Sequence, residues 1–316
     1  MKMDKKHSVG GQAIIEGVMM RGIKGIATAV RKSDGSIVVD VKETVPFTKR
    51  NKILGLPILR GFVSLVESMV VGIQTLNYSA SFFEDEEESA PSKFEEFFNK
   101  IFKDKAENVF MGLSMFISMI FAVGIFFIFP TFSANIFKTV DVKNPVILNL
   151  IEGLIRVIIF IIYLALIGKM EDIQRLFQYH GAEHKTIFCY EHDEELIPKN
   201  ATKYSRFHPR CGTNFMFLVM IVSILVFSLT GWKSFIFRIV SRIVLLPVVS
   251  GLTYEVIRAM GRSDNKLLQM FAYPGLMLQK LTTREPDDSQ LEVAIEALKA
   301  AEGILSSQEL KKTVKS

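Results

Sequence analysis

The sequence predicts a mostly α-helical, polytopic membrane protein with about four spans, a small N-terminal β-hairpin element and a C-terminal amphipathic helix. The chain of 316 residues is 49% hydrophobic and 22% charged, and its mean hydropathy is +0.29. Its charged residues are concentrated toward the two ends, which leaves long uncharged runs in the middle of the chain. Such runs are typical of membrane-spanning helices rather than of soluble domains.

The composition also excludes several classes of protein. Two Cys residues are too few for a disulfide scaffold and indicate a reducing compartment. The net charge of +5 is too small and too dispersed to indicate a nucleic-acid partner. We therefore expect the lipid bilayer as a partner, together with a substrate or protein partner and an oligomeric state that the sequence leaves open.

Four segments are apolar enough to be predicted as spans: Val109–Pro130, Val146–Gly168, Asn214–Trp232 and Phe235–Ile257. The first is about 33 Å long as a helix, which matches a hydrocarbon core of roughly 30 Å. A further apolar stretch, Ile53–Phe83, is interrupted by polar residues. We interpret it as an interfacial amphipathic helix, with a fifth span as the alternative.

Charged residues at membrane depth form a first group of candidates. Glu152 and Arg156 stand four residues apart, so they can pair on one helical face. They either fix helix packing or line a polar cavity that a substrate enters from the bilayer. Arg238 and Arg242, near the start of the fourth span, are predicted to snorkel toward the membrane surface.

We divide the chain into four regions. These are a β-rich cytoplasmic segment (1–50), an amphipathic helix with an acidic linker (53–105), a transmembrane domain (106–280) and a cytoplasmic helix and tail (281–316). The loop at 169–213 is rich in Lys and Arg, whereas the other connections between spans hold few of them. The positive-inside rule therefore predicts a multi-pass cell-membrane protein with this loop and both termini in the cytoplasm.

The two ends contain recognisable local signals. Ser33-Asp34-Gly35-Ser36 predicts a hairpin turn between strands at 27–31 and 37–41, and the Gly-punctuated segment 10–22 is typical of one further strand. Within that segment Glu16 and Arg21 are candidates for a shared polar site. Near the other end, Ser289 to Glu292 predicts a capping box that opens a helix with an apolar stripe of Leu291, Ile295 and Leu298.

The main functional signal is a cluster of His residues in the cytoplasmic loop. His180-Gly181-Ala182-Glu183-His184 is an H-x-x-E-H string, an inverted counterpart of a zinc-protease motif. Apolar residues recur with helical spacing from 173 to 188, so both imidazoles project from the inward face of one helix. Two such imidazoles can bind one metal ion, and Glu183 is then the candidate catalytic base.

A second pair of donors follows about thirty residues later. His208-Pro209-Arg210-Cys211-Gly212 is similar to a zinc knuckle in which His replaces the first Cys. Together with His180 and His184, His208 and Cys211 make a borderline-soft set that favours zinc, with another divalent metal as the alternative. The competing interpretation is a hydrogen-bonded His cluster beside an ordinary hydrophobic Cys.

Five strings spread over nearly the whole chain carry a family resemblance: GGQAIIEGVMMRG, YHGAEHKTI, HPRCGTNF, SGLTYEVIR and LTTREPDDSQLEVAIEAL. They resemble the YqhQ-like family, a bacterial group catalogued as a domain of unknown function and labelled a predicted metal-dependent enzyme. The resemblance implies a metal at the matching residues His180, Glu183, His184, His208 and Cys211. It brings no established reaction with it.

Two functions fit these observations. The first is a membrane-bound zinc-dependent hydrolase in which three protein ligands leave an open position and Glu183 is the base. The second is a non-enzymatic scaffold, regulator or transporter component whose zinc is closed by four protein ligands and has a structural role. The arrangement of the donors around Glu183 discriminates between them.

Overall fold

A computed structural model describes residues 9–83, 106–139, 144–209, 211–231, 234–260 and 266–304. These residues are mostly helical, and the strands lie near the N-terminus, as the predicted fold class requires. The acidic run at 84–88, the rest of the linker to 105 and the tail from 305 onward lie outside the described residues.

The N-terminal segment folds as a four-stranded antiparallel sheet in the order β1-β2-β3-β4. The strands are β1 Gly10–Ile14, β2 Gly17–Arg21, β3 Ile26–Arg31 and β4 Ile37–Lys42. The predicted turn between β3 and β4 is confirmed, with Gly35 at a φ of 84° and the Asp34 carboxylate accepting the Ser36 N–H at 2.8 Å. The single strand predicted over 10–22 is wrong, because Ile15 and a left-handed Glu16 (φ 48°) form a two-residue turn that pairs β1 with β2.

The helices follow in chain order: α1 Phe47–Arg50, α2 Leu59–Ala80, α3 Ala106–Val123, α4 Phe129–Thr139, α5 Pro145–Ile167, α6 Glu171–Glu191, α7 Pro198–Ala201, α8 Gly212–Ser228, α9 Phe235–Met260, α10 Lys266–Thr282 and α11 Asp288–Glu302. A π-helical turn, Gly124–Ile128, joins α3 to α4. The first predicted span therefore continues through Pro130 to Thr139.

Four of the described helical segments are long and apolar enough to cross a membrane: Leu59–Ala80, Gly112–Phe137, Pro145–Ile167 and Phe235–Met260. The number agrees with the predicted count, but one member of the set differs. The segment at 59–80 qualifies by length and composition, but the sheet before it and α6 after α5 share one core. A third crossing between them would put the sheet and α6 on opposite sides of the membrane, so the interfacial interpretation is favoured. The span predicted for 214–232 corresponds to the shorter apolar helix α8, which ends at Ser228, three residues before a left-handed Gly231.

The chain divides into two compact units by its internal contacts. The first comprises Met1–Phe83, Tyr163–Val222 and Leu246–Ser316, and the second comprises Glu84–Ile162 and Ser223–Leu245. In the first unit the sheet, α6 and α11 enclose a hydrophobic core. The apolar stripe of α11 is confirmed, since Leu291, Ile295 and Leu298 are all buried there.

The start of α11 differs from the predicted capping box by two residues. Asp287, not Ser289, is the N-cap, and its carboxylate accepts the Gln290 N–H at 2.9 Å. The Gln290 side chain in turn accepts the Asp287 N–H at 3.1 Å. Ser289 instead donates its hydroxyl to Asp287, because it lies inside the first helical turn.

In the second unit, charged side chains are buried between apolar helices. The predicted pair is confirmed: Arg156 donates to Glu152 at 2.9 Å. The snorkelling predicted for Arg238 and Arg242 is wrong, because both side chains are about 2% exposed. Arg242 donates to Glu152 at 2.5 Å, so a buried carboxylate holds its guanidinium inside the unit.

Candidate metal centre

Three of the four predicted ligands converge on one point. His180 and His184 lie one turn apart on α6, and Cys211 immediately precedes α8. Their ligand atoms all lie within 4.8 Å of one another. The two imidazole rings are edge to face, with centroids 4.5 Å apart, as the helical spacing predicts.

Backbone carbonyls fix the orientation of both imidazoles. His180 Nδ1 lies 2.8 Å from the Thr282 carbonyl oxygen, and His184 Nδ1 lies 2.5 Å from that of Arg206. Because a carbonyl oxygen only accepts, each Nδ1 carries the proton and each Nε2 keeps its lone pair. Hydrogen bonds of this kind are typical of metal-binding His residues.

The lone pairs are directed toward the thiol. His180 Nε2 lies 3.1 Å from Cys211 Sγ. His184 Nε2 is buried and forms no hydrogen bond with the described residues that meets the usual distance and angle limits. Burial lowers the pKa of His184, so the ring is neutral near pH 7 and offers a lone pair. Two convergent nitrogen lone pairs beside a sulfur form a donor set that fits zinc.

Cys211 lies against the first turn of α8. The Thr213 N–H donates to Sγ at 3.4 Å, and the Thr213 hydroxyl lies 3.3 Å from it. Both contacts are at the N-terminus of α8, where main-chain N–H groups have no partner within the helix. The thiolate is the form of Cys that binds metals. Cys189, by contrast, is fully buried on α6 and its Sγ lies 3.5 Å from the Glu195 carbonyl, as expected of a packing residue.

His208 lies beside this group but is not one of its three members. Its ring centroid is 5.6 Å from that of His184 and 4.5 Å from that of Phe188. Its Nε2 lies 3.6 Å from a carboxylate oxygen of Glu191. Burial lowers the pKa of His208 to about 4, so the ring is neutral at pH 7.

The backbone of His208 is held by a residue that sequence analysis missed. Gln279, fully buried on α10, accepts the His208 N–H at 2.8 Å and donates to the His208 carbonyl at 2.8 Å. The one signal for Gln279 in the sequence is a polar residue in the apolar run of α10. Asn214 reinforces the same loop by donating to the Pro209 carbonyl.

Glu183 lies between the donor group and strand β1. Its side chain is 5% exposed, and burial raises the pKa of its carboxyl group against the opposing effect of His180 and His208. The Gly11 N–H donates to this carboxylate. A methyl group added at Gly11 would lie 3.1 Å from the Glu183 carboxyl carbon and against the Met19 carbonyl, so this close approach requires glycine.

A cavity of about 270 Å³ adjoins the site in the first unit. Its walls come from β1, β2 and α2, and from Glu183, His184, His208 and Cys211. Arg21 lines it and pairs with Glu67 of α2 at 2.9 Å. The candidate base and two of the three donors, His184 and Cys211, thus face a space large enough for the reacting part of a substrate.

The two polar candidates of the N-terminal segment have different partners. Glu16, in the turn between β1 and β2, accepts two hydrogen bonds from Arg175 and one from Tyr179 at 3.2 Å. Arg21, at the far end of β2, faces the cavity. Glu16 therefore fastens the sheet to α6, whereas Arg21 belongs to the candidate site. Glu152 and Arg156 lie in the second unit and do not line this cavity.

Gly181, between His180 and His184, has a packing role. A methyl group there would collide with the Arg284 carbonyl oxygen. The same segment is tied to α6 by the Arg284 N–H, which donates to the Phe177 carbonyl at 2.9 Å, and by the Thr282 carbonyl that orients His180. Glycine at 181 therefore lets this segment approach close enough to fix the His180 ring.

Comparisons with known proteins identify the family of the chain. Residues 56–303 match the family described as "Protein of unknown function (DUF1385)". The chain is 34% identical over 299 residues to the "Uncharacterized protein YqhQ" of Bacillus subtilis (strain 168), with 92% of each chain covered. No solved structure matches it significantly. The resemblance seen in the sequence is thus borne out, and the chain belongs to the DUF1385 family of proteins of unknown function.

Proposed function

We propose that this protein is a membrane-bound, zinc-dependent hydrolase. The observation that carries the proposal is the convergence of His180, His184 and Cys211 beside the buried carboxylate of Glu183, at the wall of a cavity. Three protein donors with a carboxylate nearby are typical of catalytic zinc sites, whereas structural sites use four protein donors. A zinc ion held there supplies Lewis-acid chemistry to the hydrolysis of an ester, amide or phosphoester bond.

The residues around the donors have separate roles in this proposal. Thr282 and Arg206 hold the imidazole rings through their carbonyl groups, and the Thr213 N–H donates to the Cys211 sulfur. Glu183 is the general base that takes the proton from the attacking water. Burial raises the pKa of the Glu183 carboxyl group toward the working pH, which makes its carboxylate a stronger base. The Gly11 N–H orients it.

The position of the cavity supports a substrate that comes from the membrane. Ser68 and Val71 of α2 form part of its wall, and α2 also exposes Met69, Val70 and Ile73, as a helix that lies at the membrane interface does. The basic loop that contains α6 favours a cytoplasmic site, with both termini on the same side. We therefore propose a lipid or a membrane-bound peptide as the substrate class.

The test is metal analysis and hydrolysis by the detergent-purified full chain. We expect about one zinc per chain, loss of zinc in His184→Ala, and retained zinc with loss of hydrolysis in Glu183→Gln. Chromogenic carboxylic esters, phosphoric esters and peptide anilides (amides) in mixed micelles serve as the substrates. Lys185→Gln is a matched control, since Lys185 neighbours both residues but pairs with Glu285 at 2.9 Å. Hydrolysis by Glu183→Gln at the wild-type rate would refute the catalytic role.

The alternative of a structural zinc site in a scaffold or transporter component has one supporting observation. The ring of His208 lies close enough to His184 for a side-chain rotation to bring a fourth donor to the group. In that case zinc content would fall in His208→Ala as far as in His184→Ala. The hydrolase proposal expects His208→Ala to keep most of its zinc.

A further inference from the structure

The cavity beside the candidate metal centre has a permanent cation in its wall. Among the described residues that line the cavity, Arg21 is the only Lys or Arg. Its guanidinium group donates to a carboxylate oxygen of Glu67 at 2.9 Å, which uses one of its five N–H donors. The Arg21 side chain is nevertheless 35% exposed, whereas that of Glu67 is 9% exposed. Glu67 thus fixes the direction of the guanidinium group and leaves further donors for a ligand in the cavity.

The register of β1 and β2 keeps the space in front of Arg21 open. Gly10 lies opposite Arg21, and opposite residues of paired strands direct their side chains to the same face of the sheet. A methyl group added at Gly10 would meet nothing within 4 Å. The next residue, Gly11, is the one whose N–H donates to Glu183. The cavity therefore extends from Arg21 to the candidate base at this end of the sheet.

Two neutral side chains with hydrogen-bond donors lie in the same wall. Gln12 is on the same face of the sheet as Arg21, and its amide packs against Gly72 of α2, where an added methyl group would lie 2.7 Å from the amide oxygen. Ser68 follows Glu67 on α2 and also lines the cavity. Guanidinium, amide and hydroxyl groups all donate to phosphate oxygens. This wall thus suits an anionic group with several oxygens.

The helix α2 has one face toward the cavity and another that is exposed and apolar. At 100° per residue, Glu67, Ser68 and Val71 lie within one arc of about 100°. The exposed apolar residues of the opposite arc are Met69, Val70 and Ile73. A helix with such a face lies about 5–10 Å into the boundary between headgroups and acyl chains, where phospholipid phosphate groups are the abundant anions. The cavity is therefore placed beside lipid phosphates.

We propose that Arg21 binds the phosphate group of a phospholipid substrate, a role that rests on the proposed hydrolase function. The planar guanidinium group matches phosphate oxygens with parallel hydrogen bonds. Arg21 belongs to β2, whereas the metal donors belong to α6 and to the residue before α8, so the metal centre is left with a carboxylic ester of the same lipid. Water adds its hydroxyl group to the acyl carbon and its proton to the glycerol oxygen as the C–O bond between them breaks. The products are a fatty acid and a lysophospholipid.

The experiment is native mass spectrometry of the full chain in detergent, titrated with an ether-linked phosphatidic acid and, in parallel, with the dialkylglycerol that lacks only its phosphate. Ether links are not hydrolysed, so both lipids persist. We expect wild type to bind the phosphatidic acid about tenfold more tightly, and Arg21→Gln to lose this preference. Arg50→Gln is the matched control and should keep it, because Arg50 is exposed on α1 and does not line the cavity. Equal binding of both lipids by wild type would overturn the proposal.

The exchange Glu67→Gln separates a ligand site from a purely structural ion pair. Gln keeps an acceptor for Arg21 but removes the charge that competes with a phosphate group, so binding of phosphatidic acid should tighten severalfold. Arg21→Lys keeps the cation but loses the planar fork, so it should retain an intermediate preference even where Arg21→Gln does not fold. Wild-type affinity for phosphatidic acid in both variants would show that the pair only joins β2 to α2.

Hydrolysis of phosphatidylglycerol in mixed micelles separates this site from the hydrolase itself. Arg21→Gln should raise KM with little change in kcat, because its contact is the same in the ground state and the transition state. A protein that prefers phosphatidic acid through Arg21 but hydrolyses no lipid would retain the phosphate site and refute the hydrolase. An active hydrolase without the preference would refute the phosphate site alone. Inorganic phosphate that displaces phosphatidic acid at equal concentration would overturn the assignment to a lipid.

Discussion

The exchange Gly181→Ala tests whether the helix that carries the His pair is positioned by its contact with the segment at 282–286. In an isolated helix this exchange is stabilising by about 1 kcal/mol. In this protein the added methyl group collides with the Arg284 carbonyl oxygen, which is backbone and has no side-chain freedom to move aside. The segment must shift by on the order of 1 Å to restore an ordinary contact.

The structure permits an estimate of the size of both effects. Overpacking of this kind costs about 1–3 kcal/mol, which outweighs the gain in helix propensity, so we expect a net loss of up to about 2 kcal/mol. The shift also moves the Thr282 carbonyl away from His180 Nδ1, now at 2.8 Å. Loss of such an orienting hydrogen bond lowers metal affinity by about 10–100-fold. The exchange should therefore weaken zinc binding more than it lowers stability.

The assay is competition for zinc with a chromogenic chelator, together with thermal unfolding followed by circular dichroism. Gly112→Ala is the matched control, because a methyl group added there meets nothing within 4 Å. It should leave the zinc affinity unchanged. A Gly181→Ala protein with a raised melting temperature and wild-type zinc affinity would show that the close approach of the 282–286 segment does not position His180.

Three further predictions concern the supports of the site. Gln279→Leu removes the acceptor of the buried His208 N–H and leaves the His208 carbonyl with the Cys211 N–H alone, so unfolding should become easier by about 1–3 kcal/mol, and a melting temperature equal to that of wild type would contradict this role of Gln279. Leu298→Ala removes a fully buried side chain from the core under the sheet and should cost about 2–5 kcal/mol in the same measurement. Asp287→Ala should cost about 1 kcal/mol at pH 7, whereas Asp287→Asn should keep most of the cap. Burial raises the pKa of Asp287, but hydrogen bonds from Ser289 and Gln290 outweigh it and leave the pKa below its ordinary value of 3.8. The stabilisation by the ionised cap is therefore complete above that value and lost as the pH falls through the lowered pKa, and melts of wild type and Asp287→Asn across this range should show the loss in wild type alone.

The features that depend on neighbours in the sequence were predictable. The spacing of His180 and His184 places both rings on one face of a helix, and the turn at Asp34-Gly35 fixes the hairpin. The apolar stripe of α11 likewise follows from local periodicity. In each case the deciding contact joins residues at most four positions apart, so the local pattern of residue types is sufficient to predict the structure.

The features that depend on distant backbone were not predictable. His180 is oriented by the carbonyl of Thr282, 102 residues away. The backbone of His208 is hydrogen-bonded by the side-chain amide of Gln279, 71 residues away. A backbone carbonyl is present at every position, so the sequence does not show which carbonyl accepts the hydrogen bond of His180. The prediction that Arg242 snorkels fails for the same reason, because its partner Glu152 lies on another helix, 90 residues away.

The orientation of the imidazoles also bears on the interpretation of the cluster as a set of ordinary hydrogen bonds. In such a cluster each buried ring nitrogen would have a partner that matches its proton. Here the Nδ1 protons go to two carbonyl groups, so both Nε2 atoms are acceptors, and a single thiol proton can serve one of them at most. The buried lone pair of His184 would then cost about 1–3 kcal/mol. A cation among the three donors removes this cost and uses all three lone pairs at once, which is why the geometry favours a metal centre over a hydrogen-bonded one.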